Sequence, residues 1–322
     1  VPTLPDITIR PLIAENQTIR FDLELSCLEL DEELLCQWEY STDLFAPATI
    51  ERLHQQFQRV LEQVLERPQL RVHQLDLLSM TEREQMLVQW NATRAEYPRE
   101  QTIAQCFDGQ VEQTPDALAL HFEDQHYSYR WLQQRANQLA SLLQHYGVQA
   151  ETPVGICMDR SPAQILVLLA VLKAGGIYVP LDPHLPAERL LFQLDDAQIP
   201  ILVTQHSLLE QLPPMNLTLL SFEDLELSLS NILPALSTEV GNPQQLAYMT
   251  YTSGSTGQPK GVAVTQQNVL RLIKGTAYVS FDPQQIFDNL APLALDASTF
   301  EIWGSLLNGT SLILGPATQI SL

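Results

Sequence analysis

The stretch Tyr251–Val262, reading YTSGSTGQPKGV, collects hydroxyl side chains, glycines and one lysine beside apolar, strand-like runs at 246–251 and 262–265. Glycine lets backbone N–H groups approach an anion, hydroxyls add hydrogen-bond donors, and lysine adds positive charge. Ser- and Gly-rich runs also serve as flexible connectors. The flanking apolar runs instead favour a loop inside a β-sheet, and we interpret this loop as a phosphate-binding site.

The predicted phosphate-binding residues share a hydroxyl group, a glycine backbone or a positive charge. They are Thr252, Ser253, Gly254, Ser255, Thr256, Gly257 and Lys260. Glycines at 254, 257 and 261 can take positive φ. The loop does not match a Walker A loop, because Pro259 precedes Lys260 and Gly261 follows it. The chemistry of P-loop nucleotide hydrolases is therefore not indicated.

The composition is that of an acidic globular protein. Hydrophobic residues make up 45% of the 322 residues, and the formal net charge is −21. Nucleic-acid binding depends on clustered Lys and Arg, so we expect no nucleic-acid partner. No apolar run approaches the roughly 18 residues that would span a membrane, so we expect no membrane partner. Because the chain starts at Val1 and stops just after an apolar run, we expect a piece of a longer protein.

The cysteines give no sign of a metal site or a disulfide framework. Their positions show no CxxC spacing: Cys27, Cys36, Cys106 and Cys157. We interpret them as reduced thiols of a cytoplasmic protein, and we expect no metal centre.

The first part of the chain predicts a hairpin followed by a helix. Residues 18–30 and 34–40 have the pattern of two strands separated by acidic residues. Apolar residues at helical spacing then predict an amphipathic helix that starts at Pro47 and is ended by Pro68.

A change of pattern near residue 100 predicts a domain boundary. Thr81 and Glu84 have the spacing of a capping box for a short helix, and the polar segment 91–100 follows it. From Thr102 onward, short apolar strands alternate with amphipathic helices. This alternation predicts a parallel sheet covered by helices.

Four further segments are informative because they occur in a fixed order. They are Tyr127–Leu132 (YSYRWL), Leu172–Asp182 (LKAGGIYVPLD), Leu246–Gly261 and Leu295–Ser298 (LDAS). Together they resemble the early motifs of the adenylation domains of nonribosomal peptide synthetases, which belong to the adenylate-forming superfamily. In the fourth motif, Leu295 stands where this family usually has Phe.

The upstream sequence resembles a second domain of the same synthetases. Phe21–Leu23 and Glu39–Phe45 are similar to the closing segment of a condensation domain, and Thr81–Pro98 is similar to the linker that follows it. This domain order distinguishes a peptide synthetase from a free-standing acyl-CoA ligase. The resemblance implies an α/β chain with three parts: an α+β remnant of a chloramphenicol-acetyltransferase-like condensation domain (1–72), a linker (73–100) and the incomplete large N-terminal subdomain of an adenylate-forming enzyme (101–322).

The sequence also departs from the family pattern. The condensation signature HHxxxDG is absent, so the resemblance implies no condensation chemistry in this chain. The family's Mg²⁺-binding glutamate, ribose-binding aspartate and C-terminal lysine belong to later motifs, so we expect the isolated chain to be inactive. Gln266 stands where the family commonly has His, and its role is left open.

The implied reaction is the activation of an amino acid with ATP and Mg²⁺. The substrate carboxylate attacks the α-phosphate of ATP, and the resulting aminoacyl-AMP then loads a phosphopantetheine thiol on a downstream peptidyl carrier domain. The loop would cover the β- and γ-phosphates, with Lys260 and Thr252 in catalytic roles. Two alternatives stay open: a non-catalytic scaffold or linker, and another adenylate-forming ligase of the acyl-CoA ligase kind.

Asp296 resembles the family residue that pairs with the α-ammonium group of the substrate. A plainer interpretation is a helix start, because Ser298 and Glu301 have the spacing of a capping box. The same register implies that Ala297 and Phe300 line the side-chain pocket, with a lean toward aliphatic substrates. Phe300 also fits the core face of the predicted helix.

Overall fold

The computed structural model describes residues 19–30, 33–229, 241–252 and 259–315. The chain divides into two compact units, Val1–Arg94 and Ala95–Leu322. The domain boundaries expected after residues 72 and 100 stay predictions. Part of the predicted phosphate loop lies outside the described residues: Ser253, Gly254, Ser255, Thr256 and Gly257.

The first unit contains a β-hairpin and a long helix, as predicted. Strands β1 (Leu23–Leu30) and β2 (Glu33–Tyr40) pair antiparallel. Helix α1 (Pro47–Glu66) begins with proline, which suits the first turn because the N–H there has no partner within the helix. Trp38 Nε1 on β2 donates to His54 Nδ1 on α1 across 3.1 Å, which ties the hairpin to the helix.

The capping box of the next helix lies two residues before the predicted one. Ser79 Oγ accepts from Glu82 N, and the Glu82 carboxylate accepts from Ser79 N at 2.8 Å. The predicted pair Thr81 and Glu84 is wrong, because the chain is already helical at Thr81 and its hydroxyl cannot reach the first free N–H groups. Three further short elements lie in the described part of this unit: a 3₁₀ turn (Val72–Gln74), helix α2 (Met80–Glu84) and a π-helical turn (Gln85–Gln89).

The second unit alternates helices and strands. Its helices are α3 (Ile103–Gln113), α4 (Tyr129–His145), α5 (Pro162–Lys173), α6 (Ala187–Asp196), α7 (Phe222–Leu229), α8 (Gln266–Ile273) and α9 (Ala297–Asn308), with a 3₁₀ turn at His206–Gln211. Its strands are β3 (Leu118–Phe122), β4 (Gln125–Ser128), β5 (Pro153–Ile156), β6 (Ile177–Pro180), β7 (Ile201–Thr204), β8 (Thr218–Ser221), β9 (Leu246–Thr252), β10 (Lys260–Thr265), β11 (Ile286–Asn289) and β12 (Ser311–Leu314).

These strands form two sheets. The central sheet has the order β10-β9-β6-β5-β7-β8, in which only the edge pair β10 and β9 is antiparallel among the described strands. A second, mixed sheet has the order β11-β12-β3-β4. The alternating sequence pattern predicted the parallel sheet but missed the second one. A turn with positive φ at Glu123 folds β3 back onto β4, and β3 then pairs with the distant β12.

The central sheet is buried on both faces. Tyr178 and Val179, neighbours on β6, belong to two different apolar clusters, one on each face. Helix α5 lies almost entirely buried in the first cluster, and Leu190 and Leu194 of α6 cover the second. This double cover explains why the central strands are continuous apolar runs instead of alternating ones.

Candidate active site

The predicted phosphate loop connects β9 to its neighbour β10, which is an edge strand of the central sheet. Thr252 ends β9 and Lys260 begins β10, and the two residues are register partners across the antiparallel pair. Both are exposed. We call this pair the loop mouth. Because β9 runs parallel to β6, the loop leaves from the carboxyl edge of the parallel strands, where α/β folds bind their ligands.

Gly261 packs closely against β9. It lies inside β10 and does not have positive φ. A Cβ atom at this position would come 3.1 Å from Met249 Sδ and 3.5 Å from Tyr251 Cε1. A side chain here would have to displace the Met249 side chain by a few tenths of an ångström, so glycine suits the close packing against β9. Gly261 does not use the positive φ that glycine allows.

The two faces of β9 contact different helices just before the loop. On one face, Thr250 Oγ1 donates to Ala294 O at 2.8 Å, in the segment that leads into α9. On the other face, Tyr251 OH donates to Asp196 Oδ2 at 2.7 Å, at the end of α6. Burial, with Asp196 adding to the effect, raises the pKa of Tyr251, so this hydroxyl keeps its proton. Side chains on both faces thus hold the end of β9 in place.

Asp296 is the N-cap residue of α9, but its side chain makes no capping hydrogen bond. The residue has αR dihedrals and accepts no capping hydrogen bond from the described backbone, and its side chain is exposed. The predicted capping box is wrong: Ser298 Oγ donates to Leu295 O, and the Glu301 carboxylate accepts from Asn289 Nδ2 and Ala291 N. The carboxylate of Asp296 thus makes no capping hydrogen bond with the described residues, which weakens the plainer interpretation of this residue.

The two other predicted substrate-binding residues differ in their surroundings. Ala297 is exposed in the first turn of α9. Phe300 is half-buried, and its ring packs against the rings of Tyr278, Phe281 and Phe287. Phe300 thus belongs to the core face of α9, as its spacing indicated, and the pocket role of both residues stays a prediction.

A buried group of polar and aromatic side chains lies behind these residues. It consists of Tyr178, Tyr248, Thr250, Thr299 and Trp303, and we call it the buried floor. Thr299 Oγ1 donates to Tyr248 OH at 2.9 Å, Trp303 Nε1 donates to Tyr178 OH at 2.9 Å, and the two tyrosine rings stack at 5.2 Å.

The electrostatics of Tyr248 place Asp296 near the buried floor. Burial raises the pKa of the Tyr248 hydroxyl, the hydrogen bond from Thr299 opposes the rise, and the negative charge of Asp296 adds to it. Sequence reasoning missed the buried floor because its members are spread over three elements. The only signal was the period-two spacing of Tyr248 and Thr250, which predicts that they share one face of a strand.

Gln266, the departure from the family pattern, has a structural contact. The side chain is 3% exposed, and its Oε1 accepts from Ile103 N at 3.0 Å. Ile103 begins α3, so Gln266 satisfies one of the N–H groups that a helix start leaves free.

The described parts of the chain contain neither a metal-binding cluster nor a membrane-spanning helix. No group of three or more His, Cys, Asp or Glu there could hold a metal ion. Within the same ranges, no helix is long and apolar enough to cross a membrane.

Comparison with known protein families decides the assignment. Residues 107–320 match the family model described as AMP-binding enzyme, and residues 2–87 match the condensation domain. The chain belongs to the AMP-binding enzyme family. The resemblance drawn from the four ordered motifs is thereby confirmed, as is the condensation-like segment before them.

Relatives of this AMP-binding enzyme chain include bacterial synthases. Gramicidin S synthase 2 of Brevibacillus brevis is 39% identical over 308 residues, covering 95% of this chain and 7% of the synthase. Bacitracin synthase 3 of Bacillus licheniformis is 37% identical over 313 residues, covering 96% of this chain and 5% of the synthase. The chain thus spans only a small part of the length of the curated relatives that it matches.

Solved structures support the fold of this AMP-binding enzyme chain. The nonribosomal peptide synthetase FmoA3 in its AMPPNP-bound form is 26% identical, with a TM-score of 0.75, over 93% of this chain and 32% of FmoA3. The N-terminal subdomain of Klebsiella oxytoca NpsA in complex with 3-hydroxybenzoyl-AMSN is 27% identical, with a TM-score of 0.63, over 69% of this chain and 56% of NpsA. The predicted α/β fold class is confirmed.

Proposed function

We propose that the second unit activates an amino acid with ATP, as part of a nonribosomal peptide synthetase module. The carboxylate oxygen of the amino acid forms a bond to the α-phosphorus of ATP, the bond to the bridging oxygen breaks, and pyrophosphate leaves. The aminoacyl-AMP that remains then passes its acyl group to a phosphopantetheine thiol on a peptidyl carrier domain. Membership of the AMP-binding enzyme family and the likeness to synthases support this proposal.

One observation of geometry carries the proposal. The hydrogen bond from Thr250 to Ala294 joins β9 to the segment before α9. Thr252 lies two residues after Thr250, and Asp296 lies two residues after Ala294. An extended chain advances about 3.3 Å per residue. Thr252 and Asp296 are therefore each within about 7 Å, measured along the chain, of a residue that forms this hydrogen bond. Thr252, at the start of the predicted phosphate loop, and Asp296 are thus both close along the chain to one shared hydrogen bond, which supports a single substrate region between them.

The loop mouth supplies charge and hydrogen bonds to the phosphates. Lys260 carries an ammonium group with three donors, and Thr252 carries a hydroxyl donor, both at the base of the Ser- and Gly-rich loop. Transfer at phosphorus needs positioning and charge neutralisation more than covalent help. In this proposal Lys260 offsets the negative charge of the leaving pyrophosphate, and the loop residues at 253–257 hold its oxygens.

Asp296 supplies the anchor for the amine. An exposed carboxylate that has no capping role can pair with an α-ammonium group through charge-assisted hydrogen bonds. This contact would fix the amino acid so that its carboxylate points toward the loop mouth. Ala297 and Phe300, in the first turn of the same helix, would then border the substrate side chain.

Mg²⁺ would accompany ATP in this reaction. In nucleotide-dependent enzymes the ion is usually held by one or two carboxylates together with the phosphates, not by a dedicated protein cage. The described residues contain no cluster that would form such a cage. When bound, the ion would neutralise phosphate charge, and the positioning roles of Lys260, Thr252 and Asp296 do not depend on it.

The test is amino-acid-dependent exchange of pyrophosphate into ATP, measured on the protein in its natural length. Each amino acid is compared with the matched carboxylic acid that lacks the α-amine, such as leucine with 4-methylpentanoic acid. We expect exchange with one or a few amino acids and none with the matched acids. Equal exchange with an amine-free acid would indicate an acyl ligase instead, and no exchange with any amino acid would indicate a scaffold.

A further inference from the structure

Thr250 occupies an unusual place between the two halves of the proposed site. It is 7% exposed, and its hydroxyl donates to Ala294 O at 2.8 Å. A hydroxyl has one proton to donate, so this proton is committed to the protein and is not free for a ligand. Through this hydrogen bond Thr250 holds the backbone at Ala294.

A second hydrogen bond joins the same two elements. Thr299, 6% exposed, donates to the hydroxyl of Tyr248, which shares a strand face with Thr250 because the two are two residues apart on β9. Ala294 and Thr299 lie on either side of Asp296 in the sequence. The segment that carries Asp296 is thus fastened to β9 at both ends, close to the start of the phosphate loop.

We propose that Thr250, together with Thr299, is a positioning residue that couples nucleotide binding at the loop mouth to ammonium binding at Asp296. This inference rests on the proposed function. A nucleotide that fixes the end of β9 also fixes the segment before α9, because the two share these buried hydrogen bonds. Coupling between two sites is reciprocal, so each substrate should raise the affinity for the other by the same factor.

The experiment measures that coupling factor on the protein in its natural length. The dissociation constant of the activated amino acid is determined with and without a non-hydrolysable ATP analogue in wild type, Thr250→Val, Thr250→Ser and Thr299→Val. The matched control is Thr204→Val. Thr204 is also fully buried and donates to a backbone carbonyl, Cys157 O, at 2.8 Å, but it joins β7 to the strand segment after β5, away from β9.

We expect Thr250→Val to lower the coupling factor at least about fivefold, because the isosteric valine leaves the Ala294 carbonyl without its donor. The affinity for each substrate alone should change less than the factor does. Thr250→Ser should restore the coupling, since it keeps the hydroxyl, and Thr204→Val should leave it unchanged. If Thr250→Val does not fold, the coupling factor of Thr299→Val tests the inference independently.

Two results would overturn the inference while the proposed function stands. One is a wild-type coupling factor in both Thr250→Val and Thr299→Val. The other is an equal loss in Thr204→Val, which would show a general effect of losing a buried hydrogen bond. Absence of amino-acid-dependent exchange in the wild type would overturn the proposed function and this inference together.

Discussion

The exposed groups of the candidate site and the buried floor behind them consist of different kinds of side chain. Thr252, Lys260 and Asp296 are exposed and sit at the ends of secondary-structure elements. The buried floor consists of tyrosine, threonine and tryptophan side chains whose polar atoms bond to one another or to backbone. The three exposed side chains are accessible to a ligand. The side chains of the buried floor are held by their hydrogen bonds and can fix the position of the elements that carry the exposed groups.

This contrast indicates that ligand binding and the positioning of the ligand-binding residues depend on different side chains, so that substitutions can change them separately. Substitution of an exposed group should change activity without changing stability, since surface substitutions usually shift the free energy of unfolding by less than about 0.5 kcal/mol. Substitution in the buried floor should change stability first, because it leaves a buried donor or acceptor without its partner.

The largest effect is expected for Asp296→Ala. Loss of the carboxylate removes the proposed partner of the substrate ammonium, so exchange with the amino acid should fall by more than about a hundredfold. Affinity for ATP alone should stay nearly unchanged, and so should the unfolding transition in urea. The matched control is Asp288→Ala, an exposed aspartate on β11. Exchange at the wild-type rate in Asp296→Ala would show that this carboxylate does not anchor the amine.

A somewhat smaller loss is expected for Lys260→Ala. Removal of one preorganised charge or donor at a reacting group typically costs about a hundredfold in rate. The exchange rate at saturating substrates should therefore fall by about this factor, with stability preserved because Lys260 is exposed. Arg271→Ala on α8 is the charge-matched control, and an equal loss in that variant would point to net charge instead of position.

The smallest of the three effects is a stability change in Tyr178→Phe. The substitution leaves Trp303 Nε1 without its acceptor, so the free energy of unfolding at pH 7 should fall by about 1–3 kcal/mol. Tyr146→Phe, at an exposed tyrosine, is the control and should change it by less than about 0.5 kcal/mol.

The Tyr178→Phe variant also tests how the free energy of unfolding depends on pH. Burial raises the pKa of Tyr178 in the folded protein above the value of about 10 for an unfolded tyrosine. Above pH 10 the unfolded state loses this proton and the folded state keeps it, so wild-type stability falls by up to about 1.4 kcal/mol per pH unit from this residue. Phenylalanine does not titrate. The difference in free energy of unfolding between wild type and Tyr178→Phe should therefore decrease above pH 10. A difference that stays constant would contradict the raised pKa of Tyr178.

Local sequence signals predicted most of the elements but not their long-range partners. Pro47 and the residues before Pro68 bounded α1 because proline acts on its own neighbours. The Ser298 and Glu301 spacing failed, since Asn289 and Ala291, distant in sequence, bind the Glu301 carboxylate instead. Spacing shows which hydrogen bonds are possible, and only tertiary structure decides between them.

The residues of the candidate site show the same difference between local sequence signals and long-range contacts. Lys260 and Asp296 were predicted because their motifs are short and ordered, and Thr252 was predicted because it begins the loop; their roles stay predictions. Thr250 was missed, because its partner Ala294 contributes only a backbone carbonyl, which leaves no mark in the sequence. The close packing of Gly261 against Met249 was also missed, since this contact depends on the register of β9 and β10.

The central claim is that one ligand region lies between the loop mouth and Asp296. The most direct measurement is a crystal structure of the protein in its natural length with a non-hydrolysable ATP analogue and its amino acid. The account predicts the substrate ammonium within about 3 Å of the Asp296 carboxylate and the β- or γ-phosphate at similar distance from Lys260 Nζ. Phosphates bound away from the β9–β10 loop, or an ammonium group held by other residues, would contradict it.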